Sequence, residues 1–183
     1  MEFWPIKINW SVYENELANG TPIPDTSRLE FECDDPEDTG SRNAALSDYF
    51  PHLRSHLPVE VCSAIGPLVG AIATCGIDGW PSPNDATAEL EEASEAGESD
   101  IGMLYAPPTV AAIVASFKSV SLEKLSTSLS SAWAKKTAAP GDYQFSTSDH
   151  FENSDDFLEY LRGWYAAFEE ASSEGHGVGI GGG

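Results

Sequence analysis

The most chemically crowded part of the sequence is residues 148–161, SDHFENSDDFLEYL, which holds five carboxylates and one histidine. Such a set could transfer protons, bind a metal ion or form the start of a helix. Asp155 and Asp156 follow Asn153 and Ser154, two residue types that commonly cap helices. Carboxylates in a first helical turn oppose the positive end of the helix dipole, which stabilises the helix by about 0.3–1 kcal/mol each. The segment therefore predicts a helix start, and we expect no catalytic residue in it.

Two histidine patterns could contribute to a metal site. His150 and Glu152 form the H-x-E step that is typical of zinc deaminases, but the P-C-x-x-C segment that completes those sites is absent. His52 and His56 are four residues apart and would share a helix face. No glutamate follows His52, however, and the sequence offers no third ligand. The sequence therefore predicts no metal ion and no other cofactor.

Other motifs of ligand binding and catalysis are incomplete. Residues 35–46, DPEDTGSRNAAL, approach the pattern of a calcium loop, but Leu46 stands where a glutamate with two ligand oxygens is required. The chain has no G-x-S-x-G element around a serine nucleophile. Residues 175–183, GHGVGIGGG, are rich in glycine, but no helix follows them, as a phosphate-binding loop requires. We expect a short strand there, followed by a flexible glycine tail at 181–183.

Charge is the outlying property of the composition. Thirty Asp and Glu residues against nine Lys and Arg residues give a formal net charge of −21. Nucleic acids and anionic membranes require positive charge at the contact, so the composition argues against both as partners. A basic protein partner fits this charge, and so does a general acidic adaptation with no single partner.

Two further features bear on the cellular compartment. No apolar run approaches the roughly 20 residues that span a bilayer, and the first residues do not have the pattern of a secretory signal. The three cysteines, Cys33, Cys62 and Cys75, are odd in number and widely spaced, which is typical of reduced thiols. These features predict a cytoplasmic protein.

The acids are unevenly distributed along the chain. No Lys or Arg occurs between Ser55 and Phe117, whereas nine acids do. In a helix over residues 85–96 several like charges would share one face, which destabilises an isolated helix. A cationic partner would offset that cost, and a solvated face is the alternative. The predicted partner-binding residues are Asp85, Glu89, Glu91, Glu92, Glu95, Glu98 and Asp100.

Alternation of apolar and polar residues predicts a strand near each end of the chain. In residues 5–12, PIKINWSV, the apolar residues fall on one face and Lys7 on the other, which would point into water. Val178 and Ile180 alternate in the same way. Residues 13–42 lose this periodicity and carry several Pro and Gly, which predicts a long acidic loop with a short strand in RLEFEC.

Apolar residues at intervals of three and four predict the helices. These cover parts of residues 43–57, 58–76, 106–119 and 121–138, with a polar surface helix over 85–96. The clearest helix is the last, which Gly175 ends. Its apolar stripe consists of Phe157, Leu161, Trp164 and Phe168.

Two segments in the second half of the chain match a family pattern. SDIGMLYAPPTVAAIVASFKSVSLEKL has a Pro-initiated helix followed by a Ser-started helix. DDFLEYLRGWYAAFEEASSEGHGVGI has a long aromatic helix, then glycine, then a short apolar strand. Over about residues 99–181 the chain thereby resembles the YfbM-like family of small bacterial proteins. The resemblance implies a mixed α+β domain, and it implies no catalytic residues because the family has no established activity.

The sequence thus predicts one α+β domain over residues 1–183. We expect a small, mainly antiparallel sheet that includes the first and last strands, with four or five helices packed on one face. As function we expect a non-catalytic acidic binding protein of the immunity or inhibitor type, which neutralises a basic protein such as a toxin. One alternative is an enzyme whose site is assembled from dispersed residues, with a deep apolar pocket and perturbed carboxylates. The other is an acidic protein that mimics nucleic acid.

Overall fold

The computed structural model of the chain describes residues 2–20, 27–34, 36, 39–73, 77, 82–97, 99–138 and 150–183. The strands in these residues are β1 (Phe3–Ile8), β2 (Arg28–Leu29), β3 (Ile101–Tyr105) and β4 (Gly177–Gly182). The helices are α1 (Trp10–Ala18), α2 (Thr39–Arg54), α3 (Val59–Ile72), α4 (Ala88–Glu95), α5 (Pro107–Lys118), α6 (Leu122–Ala138) and α7 (Ser154–Glu174). The α+β class is confirmed, although the seven helices in the described part exceed the four or five expected.

The four strands form one antiparallel sheet in the order β2-β1-β4-β3. The first and last strands are therefore neighbours, with Ile6 opposite Gly179 and Lys7 opposite Val178. This register confirms the prediction that the two terminal strands share a sheet. The backbone N–H of Glu2 donates to the carbonyl oxygen of Gly183 at 2.8 Å, which extends the pairing to the end of the chain.

The glycines of β4 make room for aromatic side chains of β1. A Cβ atom on Gly181 would lie 2.7 Å from Nε1 of Trp4, well inside the normal contact distance of about 3.5–4 Å. Gly181 is buried, and the strand continues through Gly182. The predicted flexible tail at 181–183 is therefore wrong.

Helices cover both faces of the sheet, whereas the sequence predicted helices on one face only. Apolar residues of β1 and β3 form the first face, namely Ile6, Ile8, Ile101 and Leu104. Tyr13 of α1 and Leu90 of α4 pack against them. Val178 and Ile180 of β4 belong instead to the larger core, which they share with α2, α3, α5, α6 and α7. We term α1 and α4 the outer layer and the other five helices the main layer.

β1 is shorter than the sequence alternation predicts because a helix begins directly after it. The side-chain oxygen of Asn9 accepts a hydrogen bond from the backbone N–H of Val12 at 3.4 Å. This N-cap starts α1, so Trp10 and Val12 lie in a helix. The prediction of a loop over the whole of residues 13–42 is therefore wrong. β2 does confirm a short strand within RLEFEC.

α7 agrees with the predicted final helix at both ends. Asn153 caps its start, and Gly175 ends it with a φ of 74°, the left-handed conformation that glycine adopts without strain. The four residues of the predicted stripe have no exposed surface, namely Phe157, Leu161, Trp164 and Phe168. The inner face of this helix is thus the predicted one.

Candidate functional site

The polar residues at the start of α7 cap the helix and fix its first turn. The side-chain oxygen of Asn153 accepts hydrogen bonds from the backbone N–H groups of Asp155 and Asp156, at 2.9 and 3.0 Å. One carboxylate oxygen of Asp156 accepts from the Arg42 guanidinium at 3.1 Å, and the other accepts from the backbone N–H of Glu152 at 2.9 Å. The predicted helix start is confirmed. These contacts fix the entry into α7 and occupy both oxygens of Asp156.

The histidine patterns do not converge with other ligands. α2 ends at Arg54, so His52 and His56 do not share a helix face. Within the ranges that the structure describes, no group of three or more His, Cys, Asp and Glu side chains could hold a metal ion. Most of residues 35–46, which approach the calcium-loop pattern without completing it, lie in α2, which begins at Thr39.

A buried ion-pair network connects β1 with α7. The Lys7 ammonium lies 2.7 Å from a carboxylate oxygen of Glu170 and 2.8 Å from one of Glu174. Only 6% of the Lys7 side chain is exposed, so the prediction that it points into water is wrong. Glu170 also accepts hydrogen bonds from the backbone N–H groups of Glu32 and Cys33. The segment after β2 is thereby held against α7.

Glu170 stays ionised in this network. Burial by itself would raise the pKa of Glu170, but the Lys7 ammonium and the two backbone N–H donors together lower that pKa to about 2. Burial would likewise lower the pKa of Lys7, and hydrogen bonds to Glu170 and Glu174 raise it overall. A carboxylate with so low a pKa cannot exchange protons with a substrate near neutral pH. The network is therefore a structural connection between strand and helix.

The predicted acidic helix forms as α4 and has one apolar and one charged face. The Thr87 hydroxyl oxygen accepts from the backbone N–H of Leu90 at 3.3 Å and caps the helix. Leu90 and Ala93 are buried on one side of α4. Leu90 packs against the apolar residues of β1 and β3 and so anchors the helix on the sheet. Its four carboxylates are exposed, namely Glu89, Glu91, Glu92 and Glu95. The helix thus presents its predicted acids to the outside.

Of the three other predicted binding residues, Asp85 and Asp100 accept hydrogen bonds within the fold. Asp85 is exposed, but one of its carboxylate oxygens accepts from the backbone N–H of Ala106 at 3.0 Å, just before α5. Asp100 is half-buried, and both of its carboxylate oxygens accept from the Arg28 guanidinium, one of them at 3.0 Å. That guanidinium lowers the pKa of Asp100 against the effect of burial. Glu98 lies outside the described residues.

α1 adds carboxylates that the sequence interpretation placed in a loop. Glu14 and Glu16 lie on this helix, and Glu14 accepts a hydrogen bond from the Trp10 indole N–H at 2.9 Å. Asn9 in front of WSVYENELA is the N-cap signal that could have revealed the helix. Because α1 and α4 cover the same face of the sheet, their acids belong to one layer.

The outer layer carries acids and no bases. α1 and α4, both described in full, contain six glutamates and neither Lys nor Arg. Seven of the chain's nine bases are on helices of the main layer, namely Arg42, Arg54, Lys118, Lys124, Lys135, Lys136 and Arg162. The other two, Lys7 and Arg28, lie in strands and are paired with carboxylates. Negative charge is therefore least compensated on the outer layer.

In the described part of the chain, every carboxylate with a shifted pKa belongs to an ion pair. Each such carboxylate has a lowered pKa, and each has a cationic partner: Glu60 with Lys124, Asp100 with Arg28, Glu169 with Lys118 and Glu170 with Lys7. A general base or acid requires a pKa nearer to neutral pH. A cavity of about 710 Å³ does lie beside Arg28 and Asp100, with Ser94 and Ser99 in its wall. The charges of Arg28 and Asp100 neutralise each other there.

Comparison of the chain with family models, curated proteins and solved structures found no match. Among the described helices, none combines the length and the apolar character needed to cross a membrane.

Proposed function

We propose that the protein is a non-catalytic binding protein whose outer layer contacts a basic protein. One observation carries the proposal: six glutamates and no base occupy the two helices that cover one face of the sheet. A surface with one sign of charge attracts the opposite sign and orients the encounter. The partner-binding residues that we propose are Glu89, Glu91, Glu92 and Glu95, with Glu14 from α1.

The acids of α4 are held in a fixed arrangement before any partner arrives. Leu90 is 3% exposed and Ala93 is 6% exposed, so the helix is anchored through its apolar face. A pre-ordered surface does not lose the conformational entropy that a disordered acidic tail loses on binding. Retention of like charges on one anchored helix face is consistent with a partner that supplies positive charge.

Within this class we propose an immunity or inhibitor role in the bacterial cytoplasm, in which the acidic surface neutralises a basic protein such as a toxin. Charge complementarity supports the class of partner. Cys62, one of the three cysteines, is a free thiol, which suits a reducing compartment. Membership of the YfbM-like family stays a prediction.

The test is a pull-down from the native host with wild type and the triple variant Glu89→Lys, Glu92→Lys and Glu95→Lys. We expect wild type to retain a basic protein that the triple variant loses. The control variant reverses three exposed acids associated with the main layer, Glu123, Glu152 and Glu159, and has the same net charge. Equal loss in both variants would indicate a general charge effect and reject the proposed surface.

The identity of the retained protein also decides between classes of function. A basic toxin or enzyme supports the immunity or inhibitor role. A nucleic-acid-binding protein that nucleic acid displaces would support mimicry instead. The enzyme alternative would be supported by turnover of a substrate in the cavity beside Arg28 and Asp100, which an Asp100→Asn variant would lose.

A further inference from the structure

A second cavity lies on the main layer, away from the acidic helices. Its volume is about 440 Å³, within the range of roughly 300–1,000 Å³ that is typical of small-molecule sites. The last turn of α5 contributes Phe117 and Lys118, and the junction between α5 and α6 contributes Val120 and Leu122. The face of α7 that points away from the core completes the wall of the cavity with Arg162, Tyr165, Ala166 and Glu169.

The wall of this cavity is mainly apolar. The rings of Phe117 and Tyr165 are stacked, with centroids 4.4 Å apart and an interplanar angle of 20°. Leu122 is 50% exposed, so it presents apolar surface at the cavity. An apolar body placed against these side chains would remove exposed apolar surface from water.

The charged groups at the cavity are not equivalent. The Lys118 ammonium lies 2.6 Å from a carboxylate oxygen of Glu169, so these two charges are mutually compensated. Hydrogen bonding to Lys118 lowers the pKa of Glu169, and Glu169 raises the pKa of Lys118. Arg162 is exposed and has no ion-pair partner among the described residues. The uncompensated charge of the cavity is therefore a guanidinium.

The geometry points to a ligand with an anionic end and an apolar body. Arg162, Tyr165, Ala166 and Glu169 are at helical intervals of three and four, so they form one stripe on α7. The stripe runs from Arg162 to Glu169, seven residue steps or about 10 Å along the helix axis. We propose that this cavity binds a small organic monocarboxylate, whose carboxylate pairs with Arg162 and whose aromatic or branched body packs on Phe117 and Leu122. The planar guanidinium fits a carboxylate through two hydrogen bonds.

The probes are 4-phenylbutyrate and its uncharged analogue 4-phenylbutyramide, measured by isothermal titration calorimetry on the full chain. We expect the carboxylate to bind wild type about tenfold or more tightly than the amide does. The Arg162→Gln variant should bind the carboxylate about 10- to 100-fold more weakly, since hydrogen bonds to charged groups are among the stronger ones. The same variant should bind the amide as wild type does. Lys135→Gln removes an exposed base elsewhere on α6 and should change neither affinity.

A second variant tests the apolar part of the cavity. Ala166→Phe places a ring in the space between the helices and should abolish binding of both probes, with a wild-type circular dichroism spectrum as the folding control. Equal affinity for the two probes, or full carboxylate binding by Arg162→Gln, overturns the proposal. So does a dimer in analytical ultracentrifugation that Ala166→Phe converts to monomer, because the face would then belong to a second copy.

Discussion

Lys7 forms ion pairs with two carboxylates of α7, those of Glu170 and Glu174. In Lys7→Met, Glu170, whose side chain is only 15% exposed, would keep its place beside β1 without a compensating charge. Removal of one partner from a buried ion pair typically costs about 3–5 kcal/mol, because the remaining charge stays desolvated. We expect a loss of this size in the free energy of unfolding, measured by urea denaturation.

Lys118→Met is the matched control for that variant. Lys118 also pairs with a glutamate of α7, but its side chain is 57% exposed and that of Glu169 is 44% exposed. Water solvates both groups when they separate, so exposed pairs contribute about 0–1 kcal/mol. Equal losses in the free energy of unfolding of the two variants would show that burial does not make the Lys7 ion pairs more stabilising than exposed ones.

The low pKa of Glu170 gives stability a specific pH dependence. Its folded pKa of about 2 lies below the ordinary value of 4.5, so its contribution is complete above pH 4.5 and is lost as the pH falls towards 2. The full contribution corresponds to roughly 3 kcal/mol by linkage. In Glu170→Gln the free energy of unfolding should therefore fall less steeply over this window than in wild type. Parallel pH profiles of the two proteins would refute this assignment.

α7 holds the main layer together through its inner face. Trp164 has no exposed surface and lies in the large core with Phe157, Leu161 and Phe168. Trp164→Ala should lower the free energy of unfolding by about 3–5 kcal/mol, since it combines lost burial with a cavity. Urea denaturation measures the change, and a loss below about 1 kcal/mol would contradict the packing. Arg162→Gln, on the exposed face of the same helix, should cost within about 0.5 kcal/mol.

Elements with a complete local signal could be predicted from the sequence. α7 has a cap at Asn153, a stripe that repeats at helical intervals and a stop at Gly175, so all its signals agree. α1 has conflicting signals, because Trp10 and Val12 continue the alternation of β1 although Asn9 already caps a helix. Local pattern alone does not decide such a case, since hydrogen bonding of Asn9 competes with strand pairing.

At the scale of the molecule, the helices of the outer layer carry acids only, whereas those of the main layer carry both acids and bases. The acids of α4 could be predicted as an exposed helix face because Leu90 and Ala93 fall on its opposite side. That α1 adds to the same surface could not be predicted, because it depends on which face of the sheet each helix covers. The pairing of Asp100 with Arg28 is equally non-local, since 72 residues separate the two.

The acidic surface of α4 should raise the rate at which a basic partner associates. Reversal of Glu89, Glu92 and Glu95 to lysine should slow association by about tenfold at low salt, within the range of electrostatic steering, and should change dissociation less. In 1 M salt the Debye length falls to about 3 Å, and the association rates of variant and wild type should converge. Stopped-flow kinetics with the captured partner measures both rates. An on-rate equal to wild type at low salt would make α4 a solvated face only.

The pairing of the two chain ends has a mechanical consequence. β1 and β4 are antiparallel, with Phe3 opposite Gly182, and the backbones of Glu2 and Gly183 exchange hydrogen bonds at 2.8 and 3.1 Å. A force applied through residues 2 and 183 would therefore pull the two strands apart at their shared end. It would load the hydrogen bonds one after another, as in a zipper, and not all at once in shear. The sheet should open from this end under low tension, and its first and last strands should separate before α7 leaves the core.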